Sequence, residues 1–104
     1  MPADLMQISY QYQGKWHVKS LAKGMVVVGR PNNELTIDID LSPDTTVSRK
    51  HAKLWRNEDG SCWIEDLGSR YGTKVNATAI TGHHQLCEGD SIHIGETTLR
   101  INSE

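Results

Sequence analysis

The 104-residue sequence contains no run of 18 apolar residues and no basic, apolar leader at its start. A helix that spans a bilayer needs about 20 consecutive apolar residues, and a secretory signal needs a charged segment followed by an apolar one. We therefore expect a soluble chain with no membrane insertion and no secretory signal.

Cysteine is also scarce, because Cys62 and Cys87 are the only two and they form no CxxC motif. Two reduced thiols are the simplest interpretation, and a disulfide between them is the alternative. This composition favours the cytoplasm or another reducing intracellular compartment.

Neither sign of charge dominates, since 13 acidic residues stand against 11 basic ones for a formal net charge of −2. This balance provides no overall basic surface for nucleic acid or an anionic membrane, so any anion site must be a local cluster. The length suits one domain over residues 1–104 that buries a core without disulfides or metal. Met1 to Leu5 and Asn102 to Glu104 are expected to be loose ends.

Signatures of the common enzyme classes are absent: the sequence has no GxSxG, GxxxxGK[ST], HExxH or GxGxxG. His83 and His84 are the best metal candidates, but adjacent residues of a strand point to opposite faces, and a solvated turn pair is the alternative. The same objection applies to Glu65 and Asp66, and no nucleophile lies beside a base. We predict no enzymatic activity, no metal and no cofactor.

Short strand patterns follow one another along almost the whole chain. The stretch QISYQYQGKWHVKSL predicts a hairpin that turns at Gly14, and HAKLW with SCWIEDL predicts a second hairpin around the turn residues NEDG. MVVVGR is a short apolar strand. ELTIDIDL alternates apolar and polar residues, as a half-buried strand does.

The last third of the chain continues in the same way. TKVNATAI, the segment ending HQL, DSIHI and TTLRI are short strands separated by Thr81-Gly82, Glu88-Gly89 and Gly95-Glu96. No segment has a sustained period of 3.6 residues. The pattern predicts an all-β sandwich of two antiparallel sheets, with function in the loops at one end.

Arginine recurs beside small residues at loop positions, in the pairs Gly29-Arg30, Ser48-Arg49 and Ser69-Arg70. A phosphate group is bound by planar charged side chains, hydroxyls and backbone N–H groups that converge from several loops. For each arginine taken alone, a solvated side chain at a strand end is the alternative. The three pairs together indicate an anion site.

The order of these motifs resembles that of the forkhead-associated (FHA) domain family. The resemblance rests on Gly29-Arg30, TVSRKHA at 46–52, DLGSRYGT at 66–73, Val75-Asn76 and LCEGDSIHIG at 86–95, and it is strongest over residues 25–101. It implies an eleven-stranded β-sandwich of two antiparallel sheets whose loops at one end bind phosphothreonine peptides, usually in Ser/Thr kinase signalling.

The resemblance also implies roles for individual residues. Those expected to contact phosphate are Arg30, Ser48, Arg49 and Arg70; those expected to contact the peptide are Tyr71 and Asn76; those expected to support the site are Gly29, His51, Gly72 and Thr73. Tyr71 is a departure, because the family usually has asparagine there. A phenol has one O–H and cannot replace the separate donor and acceptor of an amide.

The hypothesis from the sequence is therefore a binding module for phosphothreonine-containing proteins or peptides, with no role in nucleic-acid binding. The size of the chain is consistent with a recognition domain that forms part of a larger multidomain protein. The alternative is an interaction or scaffolding domain of the same fold that binds partners without phosphate, which the unusual Tyr71 encourages.

Overall fold

The computed structural model describes residues 6–12, 14–20, 25–33, 36–42 and 44–103. It has eleven strands: β1 Met6–Tyr12, β2 Lys15–Ser20, β3 Met25–Gly29, β4 Ile39–Asp40, β5 Lys50–Arg56, β6 Cys62–Asp66, β7 Thr73–Val75, β8 Thr78–Ala79, β9 His83–Leu86, β10 Ser91–Ile94 and β11 Thr97–Ser103. The described residues contain no helix long and apolar enough to cross a membrane. The expected all-β architecture is confirmed.

The strands form two sheets. One has six strands in the order β2-β1-β11-β10-β7-β8, and the other has five in the order β4-β3-β5-β6-β9. Neighbouring strands are antiparallel except β3 and β4, which run parallel with Val28 beside Ile39. The predicted sandwich is confirmed, with this one parallel pair added.

The core lies between the two sheets, because alternate residues of each strand point inwards. The largest fully buried apolar side chains are Ile8, Ile39, Leu41, Leu54, Ile64, Ile92, Ile94, Leu99 and Ile101. Burial of each such side chain stabilises the fold by about 1.5–3 kcal/mol. The loops at the end of the sandwich are therefore held on a rigid base.

The segment ELTIDIDL is not the long strand that its alternation predicts, since only Ile39–Asp40 is a strand. The Asp38 carboxylate accepts the Val27 N–H at 2.9 Å, and Asp38 N–H donates to Val27 O at 2.9 Å. The Asp38 side chain thus accepts the Val27 N–H, which a longer β4 would pair with a backbone carbonyl. Ile39 and Leu41 are buried as expected, whereas Glu34 and Leu35 lie outside the described residues.

TKVNATAI was expected to be one strand but forms a hairpin of β7 and β8. Val75 pairs with Thr78, which leaves Asn76 and Ala77 as a two-residue turn with φ of 51° and 70°. Two positive φ angles are characteristic of the type I′ turns that join tight hairpins. The sequence signal was weak because neither residue is glycine.

The last strand extends to the end of the described residues. Strand β11 continues through Asn102 and Ser103, and the Asn102 side-chain amide donates to Ser9 Oγ at 3.0 Å. These two residues thus pair with Met6 and Gln7 of β1. The expected loose ends at Met1 to Leu5 and at Glu104 lie outside the described residues.

His83 and His84 begin β9 and do not form a solvated turn pair. They lie opposite Glu65 and Ile64 of β6, so their side chains project to opposite faces of the sheet. In the part of the chain that the structure describes, no group of three or more His, Cys, Asp or Glu side chains could hold a metal ion. Cys62 is buried and Cys87 is exposed, and neither is part of a disulfide.

The strained turn at Ala77 gives a first prediction. A non-glycine residue in the left-handed region costs about 1–2 kcal/mol, whereas glycine there loses about 0.4–1 kcal/mol through greater freedom of the unfolded chain. We expect Ala77→Gly to raise the free energy of unfolding by up to about 1 kcal/mol in urea titrations. The control is Ala79→Gly, in strand β8, which should lower it by about 0.5–1 kcal/mol; equal losses in both variants would contradict the argument.

Candidate functional site

Three loops meet at one end of the sandwich: residues 30–33 after β3, residues 44–49 before β5, and residues 67–72 between β6 and β7. Backbone and side-chain hydrogen bonds join them. Arg30 N–H donates to Arg49 O at 3.2 Å, and Arg70 N–H donates to Ser48 Oγ at 3.0 Å. The four residues expected to contact phosphate therefore lie on directly connected loops.

Gly29 allows the first two loops to approach closely. A Cβ built at this position would collide with the Arg49 carbonyl oxygen and lie 3.1 Å from the Ser48 carbonyl oxygen. Backbone atoms cannot move aside as a flexible side chain can. The requirement for glycine is thus one of space, and it places Arg30 directly against the loop of Ser48 and Arg49.

His51 is fully buried and connects the second loop to the third. Its Nδ1 accepts the Ser48 N–H at 3.0 Å, so the ring hydrogen is on Nε2, which donates to Gly72 O at 3.0 Å. Burial lowers the pKa of His51, while the Gly72 carbonyl and the charges of Asp66 and Asp44 oppose that shift. The neutral ring is therefore the form that suits both hydrogen bonds.

Asp66 organises the third loop from inside. Its carboxylate accepts the backbone N–H groups of Gly68 and Ser69, each at 3.0 Å, and the hydroxyls of Ser69 and Thr73. Burial raises the pKa of Asp66, but these hydrogen bonds together outweigh burial and lower it. Thr73 is itself buried, so an ionised carboxylate and a buried hydroxyl fix the start of β7.

Gly72 closes this loop. Its φ is 85°, a conformation that glycine adopts without strain, and no heavy atom lies within 4 Å of a Cβ built there. Its N–H donates to Ser69 Oγ at 2.9 Å, while its carbonyl accepts from His51. The backbone angle, and not lack of space, is the reason for glycine at this turn.

Arg30 carries the main unsatisfied group of the site. Its Nε is buried and has no hydrogen-bond partner among the residues that the structure describes. Leaving a buried donor unpaired costs about 1–3 kcal/mol, and more for a charged group. The side chain borders a cleft of ≈ 300 Å³ lined by Arg30, Ser48, Arg49, Lys50, Leu67 and Gly68.

Ser48 presents a donor to the same cleft. Its Oγ accepts the Arg70 N–H, so its own hydroxyl hydrogen remains available to an acceptor in the cleft. Arg49 is exposed beside it. Cations and a hydroxyl donor thus converge on this cleft, where an anion could bind.

The side chains of Arg70 and Tyr71, in the loop between β6 and β7, contact each other. The Arg70 guanidinium carbon lies 5.4 Å from the centre of the Tyr71 ring, within the range of a cation–π contact. Tyr71 is 61% exposed and lines a separate cleft of ≈ 470 Å³ with Thr46, Gly72, Lys74, Ala77, His93, Gly95 and Glu96. The structure therefore places Tyr71 beside, and not within, the cleft of Arg30.

Asn76 connects the β7–β8 turn to the start of β10. Its Nδ2 donates to Asp90 Oδ1 at 2.9 Å, and its Oδ1 accepts the Ser91 N–H at 3.0 Å. These two bonds orient the side chain and leave one amide hydrogen for a further contact. Among the described residues, its side-chain bonds go to this neighbouring loop and not to the loops of Ser48 and Arg70.

Three residues near the site were not assigned from the sequence. Lys50 lines the cleft of Arg30, and Ser69 receives and donates hydrogen bonds within the third loop. Asp44 accepts the N–H groups of Thr46 and Glu96 at 3.0 and 2.9 Å, tying the second loop to the β10–β11 turn. The Asp-Thr-Thr sequence, which favours such local side-chain bonds, was the available signal for Asp44.

Comparison with known proteins agrees with this geometry. A model of the FHA domain matches residues 26–95. Protein FraH of Nostoc sp. (strain PCC 7120) is 36% identical over 80 residues, which cover 72% of this chain and 27% of FraH. The chain spans between 14% and 43% of the curated relatives that it matches.

Two solved structures are similar over nearly their whole length. The FHA domain of the CT664 protein from Chlamydia trachomatis has a TM-score of 0.84 at 27% identity, covering 96% of this chain and 98% of that one. An FHA domain from a structural and functional analysis of phosphothreonine-dependent FHA domain interactions has a TM-score of 0.77 at 27% identity, covering 94% and 97%.

The buried His51 predicts how stability depends on pH. Because its pKa is lower in the folded chain than the usual 6.5, the unfolded chain binds more protons, and stability falls as pH drops through about 6.5 towards the folded pKa. The slope from one group is at most about 1.4 kcal/mol per pH unit. His51→Gln, which can accept and donate but does not titrate, should show a smaller slope.

Urea unfolding of both proteins between pH 7.5 and 5.5 measures this difference. The other histidines are common to both chains and cancel in the comparison. Equal slopes would mean that His51 is not held neutral between Ser48 and Gly72.

Proposed function

The chain belongs to the FHA domain family, a family of phosphothreonine-binding modules, and on that premise we propose that it binds phosphothreonine-containing proteins in Ser/Thr kinase signalling. The proposed ligand site is the cleft of Arg30, which all three loops line. The partner is a phosphorylated protein segment, and binding involves no chemical step.

The observation that carries this proposal is the buried, unpartnered Nε of Arg30. A guanidinium presents two parallel N–H groups that match two oxygens of a phosphate. A phosphate in the cleft would pair the Nε that the described residues leave unsatisfied.

Neighbouring groups complete the proposed phosphate site. Ser48 Oγ donates its remaining hydrogen, and Arg49 adds charge from the exposed side of the cleft. The backbone N–H of Arg70 donates to Ser48, so the Arg70 side chain can add a further contact to the phosphate. The neighbouring Tyr71 ring would face the peptide. Gly29, His51, Gly72 and Thr73 hold these groups in place.

The peptide on either side of the phosphothreonine would contact Tyr71 and Asn76. Tyr71 offers a flat, largely exposed ring in place of the directed hydrogen bonds of an amide. Asn76 has one amide hydrogen that its bonds to Asp90 and Ser91 leave over. We infer that Tyr71 fixes the register of the bound peptide less strictly than an asparagine at position 71 would.

Replacing the buried arginine tests the site. A charge-assisted hydrogen bond contributes about 1.5–3 kcal/mol. Arg30→Ala should therefore weaken binding of a phosphothreonine peptide by roughly tenfold to more than a hundredfold in calorimetric titrations. Arg30→Lys should also bind weakly, because an ammonium cannot present the paired N–H groups. Ser48→Ala should cost somewhat less than Arg30→Ala.

The matched control is Arg100→Ala, which removes an exposed arginine from β11 of the other sheet. It should bind as the parent does. An Arg30→Ala variant that keeps full affinity would refute the site, and equal affinity of the parent for phosphorylated and unmodified peptides would favour the phosphate-independent alternative.

The contact between Arg70 and Tyr71 gives a separate prediction. Tyr71→Ala should weaken the phosphothreonine peptide by about 1–2 kcal/mol, as expected for an aromatic contact at an interface, whereas Tyr71→Asn should be tolerated. Because the guanidinium lies over the ring, a double-mutant cycle with Arg70→Ala should show coupling of about 0.5–1 kcal/mol. Strictly additive losses would mean that the two side chains act independently.

A further inference from the structure

Strand β2 is the outermost strand of the six-stranded sheet. Its inner side pairs with β1 from Lys15 to Ser20, and no described strand pairs with its outer side. Such an edge presents a row of backbone N–H and C=O groups that can form hydrogen bonds with an added strand. The six residues of β2 provide a typical strand length for such pairing.

The side chains of β2 divide into an apolar face and a basic face. Trp16 and Val18 are 67% and 60% exposed. Val18 lies opposite Ser9, whereas Lys19 lies opposite the buried Ile8, so the lysine side of β2 is continuous with the core face of the sheet. Lys15 and His17 on that side are nevertheless exposed, which means that β2 extends beyond the cover of the other sheet.

This arrangement is unusual for a solvent-facing edge. A sandwich strand normally turns apolar residues to the core side and polar residues to water, and β2 does the reverse. A tryptophan that is two-thirds exposed beside an exposed valine contributes little to the isolated domain. A further strand beside these two side chains would cover part of their apolar surface and remove it from contact with water.

The charges of β2 disfavour a second copy of this chain as the added strand. The basic face consists of Lys15, His17 and Lys19, so every antiparallel register of two β2 strands that keeps the faces aligned places these residues opposite one another. Like charges directly opposite are destabilising. Lysines at an edge in this way prevent pairing between copies, but they favour an acidic strand.

We propose that the outer edge of β2 binds an extended protein segment in which apolar residues alternate with aspartate or glutamate. The segment adds a seventh strand to the sheet. Its apolar residues lie beside Trp16 and Val18, and its carboxylates lie beside Lys15 and Lys19. Backbone hydrogen bonds provide the attachment, and the alternating side chains provide the specificity.

This surface is separate from the proposed phosphate site. The cleft beside Trp16 is lined by Gln11, Glu96, Thr97, Thr98 and Arg100 and shares no lining residue with the cleft of Arg30, although Glu96 also lines the cleft of Tyr71. The edge proposal therefore stands whether or not the loops bind phosphothreonine. A partner that carries both a phosphothreonine and an acidic, alternating segment could engage the two surfaces together.

A pair of synthetic peptides tests the edge. One is a blocked peptide that alternates glutamate and valine, and the other replaces every glutamate with lysine. The ¹H–¹⁵N spectrum of the whole chain should show shifts in β2 amides with the glutamate peptide and much weaker ones with the lysine peptide. Amides of β2 that do not bond to β1 should exchange more slowly with solvent when the glutamate peptide is bound.

Variants sharpen the test. Trp16→Ser should weaken binding of the glutamate peptide about fivefold. The double change Lys15→Glu with Lys19→Glu should reverse the preference, so that the lysine peptide binds about tenfold more tightly than the glutamate peptide. Met25→Ser, which removes an exposed apolar side chain from β3 of the other sheet, is the control and should leave binding unchanged. Thermal melting of each variant shows that its fold is intact.

Equal binding of both peptides, no binding of either, or shifts confined to the loops of Arg30 and Ser48 would overturn the proposal. Concentration-dependent dimerisation that Trp16→Ser abolishes would also overturn it and assign the edge to a second copy. A preference for the glutamate peptide that the charge reversal inverts is the result that supports it.

Discussion

The loops at the end of the sandwich depend on one buried imidazole. His51 accepts the Ser48 N–H and donates to the Gly72 carbonyl, so one side chain on β5 connects the loop before β5 to the loop between β6 and β7. Ser48 in turn holds the Arg70 N–H. Because buried backbone groups need partners, loss of the ring would leave the Ser48 N–H without its acceptor and the Gly72 carbonyl without its donor.

A chain with net charge −2 presents a cationic cleft because its carboxylates near the site are used internally. Asp66 is surrounded by donors of its own loop, and Asp44 accepts donors from two loops. Hydrogen bonds to these ionised groups lower their pKa despite burial. The arginines and Ser48 can then face outwards, which is the division of charge that a phosphate site requires.

Alternation of apolar residues was sufficient to predict most strands and the sandwich, because each sheet has one face against the core. It failed where side chains compete with the backbone, as at Asp38, and where a turn uses Asn76 and Ala77 instead of glycine. The order of the motifs predicted which residues share one end of the fold. It could not reveal that Arg30 Nε is buried without a described partner or that Tyr71 lines a second cleft, since both depend on packing between distant segments.

The central claim is that the Arg30 Nε–H donates a hydrogen bond to a phosphate oxygen, and the resonance of this N–H reports it most directly. The resonance is assigned by its absence from the spectrum of Arg30→Lys. Addition of a phosphothreonine peptide should shift it strongly downfield and slow its exchange with water, as a charge-assisted hydrogen bond requires, while the unphosphorylated peptide should leave it unchanged. An Arg30 Nε–H signal that does not respond while the phosphorylated peptide binds would contradict the account.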